Sequence, residues 1–164
     1  MDSSVVIRPA LRSDADAIWQ VVEPVLRAGE TYPLPRDISR EDSFAYWHAP
    51  DHEVFVVEDG TQTVGSYYLR ANTGGGGGHV ANCGYVVASS ASGRGIGHMM
   101  CMHSLNRARE RGFTAMQFNF VISSNERAVR LWKRCGFAIV GTLPGAFVHP
   151  TQGLVDVYVM YRNL

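Results

Sequence analysis

Tyr85-Val86-Val87-Ala88-Ser89-Ser90-Ala91-Ser92-Gly93-Arg94-Gly95-Ile96-Gly97-His98 runs from a β-branched strand through a glycine-rich turn into a helix. Glycines let the backbone take up conformations closed to other residues and let a ligand approach the amides closely. The first N–H groups of a helix have no internal partner, and the helix dipole adds partial positive charge there. A phosphate therefore fits the end of such a turn, and Arg94 adds a cation within it. The spacing Gly93-x-Gly95-x-Gly97 is not the dinucleotide fingerprint, whose third glycine would fall at His98. It is not a Walker A loop either, because no lysine and serine follow in register.

Outward from this turn the elements alternate. Val80 to Ala88 reads as a strand and Gly97 to Arg111 as a helix stopped by Gly112. Ala115 to Ile122 is the next strand, and Asn125 to Cys135 a helix closed by Gly136. Ala138 to Thr142 and Val155 to Tyr161 supply two closing strands. Upstream, Val5 to Ile7 forms a short strand, and Ser13 caps a helix whose apolar face runs from Ala17 to Leu26. Pro24 is expected to bend or divide that helix. Ser39 with Asp42 starts a second helix bearing Phe44, Tyr46 and Trp47, and Gly29 to Pro35 forms an extended loop between the two. Val54–Val57 and Val64–Leu69 flank the turn signal Asp59-Gly60 as a hairpin. Gly74 to Gly78 reads as a flexible connection. The order β-α-α-β-β-β-α-β-α-β-β implies one mixed α/β sheet with helices on its faces, and 1–164 reads as a single domain.

Fifteen basic residues balance fifteen acidic ones. That balance argues against a protein built to grip nucleic acid or an anionic membrane surface. The charged fraction of 18% against 46% hydrophobic excludes a solvating, disordered chain. Three cysteines without C-x-x-C spacing argue for a reducing, cytoplasmic setting rather than a disulfide framework or cysteine-rich zinc site. His48 and His52 have metal-ligand spacing only on a helix, which Pro50 breaks, so no metal is expected. No run of about 18 apolar residues suggests a membrane span.

Ser92-Gly93-Arg94-Gly95-Ile96-Gly97 resembles motif A of the GNAT superfamily of acyl-CoA-dependent N-acyltransferases, usually written [RQ]-x-x-G-x-[GA]. Downstream, Asn125-Glu-Arg-Ala128-Val-Arg-Leu131-Trp132-Lys-Arg-Cys-Gly136-Phe137 resembles motif B, N-x-x-A-x-x-L-[YF]-x-x-x-G-F. The resemblance implies a GNAT fold: a mostly antiparallel central sheet with splayed middle strands and helices on both faces. It also implies acetyl-CoA as cosubstrate, its pantetheine arm paired with backbone around Tyr85 and Val87 and its diphosphate on the amides from Gly93 to Gly97. Arg94, Ile96, Asn125 and Trp132 fall at cofactor-facing positions of the two motifs. Two departures stand out: Ser92 replaces the usual arginine or glutamine, and Trp132 replaces a common tyrosine.

In Ala115 to Ile122, Gln117 and Asn119 share one face of the strand, opposite Met116, Phe118, Phe120 and Ile122. An amide on a central strand is costly unless hydrogen-bonded. Asn82 poses the same problem one strand away. Either both asparagines point into one cleft and offer donors to a substrate, or each mends a ladder where the strands part. Gly84 is a candidate bulge between them. Gly29–Pro33, His79–Asn82, Gln117–Val121, Ser124-Asn125 and Leu131-Trp132 resemble GNAT members that acetylate proline-like imino acids such as azetidine-2-carboxylate. In that subgroup the asparagines matching Asn82 and Asn119 lie at the substrate site.

Acetyl transfer to nitrogen needs an uncharged amine, a stabilised oxyanion and support for the departing thiolate. Backbone N–H groups near Val87 suit the oxyanion. Glu30 is the candidate base, with water as the alternative. Tyr32 either shapes the acceptor pocket or simply packs. The indole of Trp132 donates a hydrogen bond but keeps its proton near neutral pH, so either Tyr85 protonates sulfur or the thiolate leaves into water. His98, His103 and His149 read as a turn, a helix-face and a loop or acceptor-rim residue. Cys101 and Cys135 read as buried, and Met99, Met100 and Met102 as packing against the sheet. The expected reaction is transfer from acetyl-CoA to a small amine or amino or imino acid. Transfer to a xenobiotic or peptide amino terminus, and a non-catalytic CoA-binding sensor, remain alternatives, as does a homodimer formed through edge strands.

Overall fold

The chain, seen in a computed structural model that describes residues 5–164, folds around one seven-stranded sheet. Its elements are β1 (Val5–Pro9), α1 (Ala15–Ala28), α2 (Arg40–Trp47), β2 (Glu53–Asp59), β3 (Gln62–Ala71), β4 (Val80–Val87), α3 (Ile96–Glu110), β5 (Ala115–Ile122), α4 (Glu126–Arg134), β6 (Ala138–His149) and β7 (Gly153–Asn163). The strand order is β1-β2-β3-β4-β5-β7-β6. All neighbours pair antiparallel except β4 and β5, which are parallel and share only two pairs, Val80↔Ala115 and Ala81↔Met116. Beyond Ala81 the sheet parts.

Alternation along the strands sends side chains to two cores. On one face Ile18, Val22 and Leu26 of α1 and Trp47 of α2 pack on Val54, Val56, Tyr68 and Val86. On the other, Ile96, Met100, Cys101 and Leu105 of α3 and Val129 of α4 pack on Tyr67, Leu69, Met116, Phe118 and Met160. Within α3, Met100 is buried while Met99 and Met102 are exposed, because the buried stripe runs through Ile96, Met100, Cys101, Ser104, Leu105 and Ala108 and leaves those two off it.

Five local readings need correction. α1 is one continuous helix through Pro24. Ser13 does not cap it: a 3₁₀ turn over Arg12–Asp14 precedes the helix, and the Asp14 carboxylate is engaged by Arg8 and by the Leu11 N–H. Gly84 marks no bulge, since the β3–β4 register passes through Tyr68↔Gly84 without a shift. The glycine is needed there because a Cβ would lie 2.5 Å from the Tyr68 ring. His149 is buried at the end of β6, its Nδ1 accepting from the Thr151 and Gln152 N–H groups. β6 and β7 also run longer than the sequence pattern suggests, because register shifts carry the ladder past Pro144 and Gly145.

Candidate active site

The phase of the β3–β4 ladder determines what faces the gap. Asn72 N–H bonds Val80 O at 2.8 Å and Ala88 N–H bonds Val64 O at 2.8 Å. Even-numbered β4 residues therefore spend their backbone groups on β3, and Cys83, Tyr85 and Val87 turn theirs toward β5. Beyond Ala81 no β5 strand is there to receive them. One of these groups is already taken, because Tyr32 Oη donates to Tyr85 O at 3.1 Å. Around Tyr85 and Val87 the β4 edge therefore turns its remaining backbone groups toward the gap, without a strand partner.

At the end of β4 the glycine turn has the required geometry. Gly93 and Gly95 sit at φ +81° and +80°, a region that L side chains rarely adopt. Gly95 caps α3 without a side-chain bond, and Met99 N–H is the first to reach back, to Gly95 O. Among the described residues the N–H groups of Gly93, Gly95, Ile96, Gly97 and His98 carry no hydrogen bond, which leaves a cluster of donors for an anion. Gly97 has a packing reason as well: a Cβ there would lie 3.0 Å from Leu131 Cδ2, so α3 approaches α4 closely. Arg94 is turned aside, its guanidinium 2.6 Å from Asp59 in the β2–β3 hairpin. In its place Arg127, from the first turn of α4, donates to Ser92 Oγ. Sequence reasoning missed Arg127. The signal available was a basic residue two positions after the motif B asparagine, opposite a motif A that lacks its usual cation.

A cavity of about 240 Å³ runs through the parting of the sheet, lined from the α3–α4 side by Tyr85, Phe118, Asn125, Ala128 and Trp132. From the α1–α2 side it is lined by Thr31, Tyr32, Tyr46, Tyr68, Arg70, Asn82 and Asn119. The Trp132 indole packs on Tyr85 and Phe118 with ring centroids 5.0 and 4.9 Å apart, building an aromatic wall. Asn125 both caps α4, accepting from Ala128 N–H at 3.3 Å, and borders the cavity. Asn82 and Asn119 meet at the cavity too, and each also mends the split. Asn82 Nδ2 donates to Gln117 O at 2.9 Å, bridging β4 to β5 where the ladder stops. Asn119 Nδ2 donates to Asn72 Oδ1 at 2.6 Å and its Oδ1 accepts from Gln117 Nε2. A β5 bulge between Phe118 and Val121 leaves Asn119 and Phe120 without β7 partners, which breaks the strict alternation expected there.

Tyr85 and Glu30 stand differently from the rest. Ser104 Oγ donates to Cys101 O at 2.7 Å, so the Tyr85 hydroxyl, 2.7 Å from Ser104 Oγ, is the donor of that pair. Burial pushes its pKa well above the usual phenol value. Glu30 is exposed and borders no part of the cavity, although its neighbour Thr31 does. Among the described residues the lining holds no aspartate, glutamate or histidine. A wider groove, between the Gly29–Arg36 loop and Ala146–Val148 of β6, shares Tyr32, Pro33 and Phe120 with the cavity and opens it to solvent. No helix is long and apolar enough to cross a membrane among the described residues.

The fold has clear counterparts. A chain from Kribbella flavida described as a GCN5-related N-acetyltransferase superposes with a TM-score of 0.94, 36% identity and full coverage of both chains. The YncA acetyltransferase of Salmonella typhimurium, solved with acetyl-CoA, shares the fold at a TM-score of 0.85 and 20% identity over 98% of this chain and 94% of its own. The N-acetyltransferase aca1 of Schizosaccharomyces pombe is 26% identical over 151 residues, 82% of this chain and 72% of that protein. The model of the acetyltransferase (GNAT) family matches residues 16–137. With the split sheet, the open amides of the α3 turn and the motif B helix beside them, the chain belongs to the acetyltransferase (GNAT) family of acetyl-CoA-dependent N-acetyltransferases.

Proposed function

We propose that the protein moves an acetyl group from acetyl-CoA to the nitrogen of a small amine or amino or imino acid, the two substrates meeting inside the split between β4 and β5. The observation that carries this reading is the single cavity that joins the two faces of the sheet at that split. Bound there, acetyl-CoA would supply the activated acyl thioester. The N–H groups of Gly93, Gly95, Ile96 and Gly97 and the Arg127 guanidinium would hold its diphosphate, with Ser92 positioning Arg127. Backbone of Tyr85 and Val87 would align the arm, and the Val87 N–H would face the carbonyl oxygen as charge develops on it. Trp132, Phe118 and Asn125 form the wall on this side.

The acceptor would enter by the groove under Tyr32 and Phe120 and meet Asn82 and Asn119. A cavity without a carboxylate disfavours an ammonium ion, so the amine sheds its proton to water on entry; Glu30 lies outside the lining and would act only through that water. Tyr85 holds its own proton on Ser104, so the proton lost by the acylated nitrogen would pass through water to the departing thiolate, giving amide and free thiol. Holding both partners in attack geometry supplies the rest of the acceleration. The resemblance to the azetidine-2-carboxylate subgroup makes cyclic imino acids the first acceptors to try. Thiol release from acetyl-CoA in the presence of azetidine-2-carboxylate, proline and simple amines tests the reading. Asn119→Ala should raise the acceptor KM several-fold and leave acetyl-CoA affinity within about twofold. Cofactor binding without release across the whole panel would instead indicate a CoA-binding sensor.

A further inference from the structure

We infer that Arg70 is the specificity-determining residue of the acceptor site, selecting amines that carry a carboxylate. The inference rests on the acetyl-transfer reading for where the acceptor lies. Arg70 is the single charged residue of the cavity lining. It lies on β3 directly opposite Asn82, the residue at which β4 and β5 part, and faces α1–α2 with Tyr68. Its Nε is buried without a hydrogen-bond partner, and among the described residues no hydrogen bond or ion pair engages its guanidinium. The contrast with other arginines is sharp: Arg8, Arg94 and Arg107 each hold a carboxylate. A buried donor on a fixed positive charge, left unpaired beside a cavity, points to a partner from outside the chain.

The chemistry of that partner follows from what surrounds it. The lining offers no acidic side chain to a second cation, so the net field favours an anion. The planar guanidinium fork matches a carboxylate. Asn82 and Asn119 cannot replace it, because the amide nitrogen of each already donates within the chain and retains at most one hydrogen for a ligand. In an α-amino or imino acid the nitrogen and the carboxylate share one carbon. A carboxylate held on Arg70, one strand from the split, therefore leaves the nitrogen close to the gap where the thioester is placed. The same cation repels polyamines and other multiply charged amines, and it favours the uncharged form of the attacking nitrogen.

The test compares each acid with its primary amide, which has nearly the same shape and no charge. Azetidine-2-carboxylate, proline, alanine and their amides are titrated into the CoA-loaded wild-type protein by calorimetry, and thiol release is followed in parallel. At least one acid should bind roughly 10- to 100-fold tighter than its amide, the span of a charge-assisted hydrogen bond. Arg70→Gln should reduce that acid to the level of its amide while the amide and CoA keep their affinities, and Arg70→Lys should recover part of the difference. If no acid outbinds its amide, or if Arg70→Gln weakens acid and amide alike, the assignment is overturned. The wild-type comparison decides the matter even if the variants fail to fold. Absence of thiol release with preferential acid binding would sink the transfer reading and leave the Arg70 site standing.

Discussion

Arg127 of α4 donates to Ser92 Oγ in the turn before α3, so two helices are pinned together beside the unpaired amides of that turn. Ser92 stands where the family's motif A, [RQ]-x-x-G-x-[GA], has an arginine or a glutamine. Here the positive charge beside that position belongs to Arg127 of the neighbouring helix. Arg127→Ala should raise the Kd for CoA about tenfold, which corresponds to ~1.4 kcal/mol. Adding Ser92→Arg to that variant should restore most of the loss. Calorimetry with CoA reads both, and unchanged affinity in Arg127→Ala would show that the guanidinium serves only to join the helices.

Tyr85 keeps its phenol proton on Ser104 Oγ and packs its ring on Trp132. Tyr85→Phe should therefore retain kcat within about threefold, and the alkaline side of the pH–rate profile should not move. Loss of kcat by about 100-fold, the scale of a lost general acid, would reinstate the hydroxyl as a proton donor.

Gly84 lies under a Tyr68 ring clamped between His52, stacked at 4.1 Å, and Trp47, edge-on at 5.0 Å. The ring has nowhere to go when a methyl group arrives. Gly84→Ala should cost about 1–3 kcal/mol of stability, the range for overpacking a core, and raise the acceptor KM because Tyr68 lines the cavity. Chemical denaturation and steady-state kinetics check the two effects; an unaltered midpoint would mean that the ring shifts freely.

His48, His52 and His103 all have pKa values held below 6.5, chiefly by burial. The folded state favours their neutral forms, so their contribution is complete above the unfolded pKa and is lost as pH falls through the folded values. Tm should drop between pH 7 and pH 5, before most carboxylates titrate. His52→Phe, which preserves a ring against Tyr68, should flatten that slope. A Tm that stays level over this interval would contradict the burial argument.

Much of this arrangement was legible in the residues themselves. The strand-turn-helix around Gly93–Gly97 and the asparagine-capped helix at Asn125 depend on local chemistry, and local chemistry is what sequence displays. The face shared by Asn82 and Asn119 followed from period-two alternation, although the bulge that leaves Asn119 without a β7 partner did not. Contacts between distant segments were hidden. Arg94 turning to Asp59, Arg127 reaching Ser92 and the Tyr85 hydroxyl meeting Ser104 each join residues 19 or more positions apart. Arg70 escaped notice for the opposite reason: its significance lies in the partner it lacks.

The divided sheet has a thermodynamic consequence. Main-chain groups of Cys83, Tyr85 and Val87, apart from the Tyr85 carbonyl held by Tyr32, face the gap without a strand partner, so whatever docks there extends the protein's own ladder. Occupancy and folding are then one linked equilibrium, with a gain of RT ln(1 + [L]/Kd). A cell short of the docking molecule would hold a softer, more readily degraded protein, and its abundance would track the supply of its own fuel.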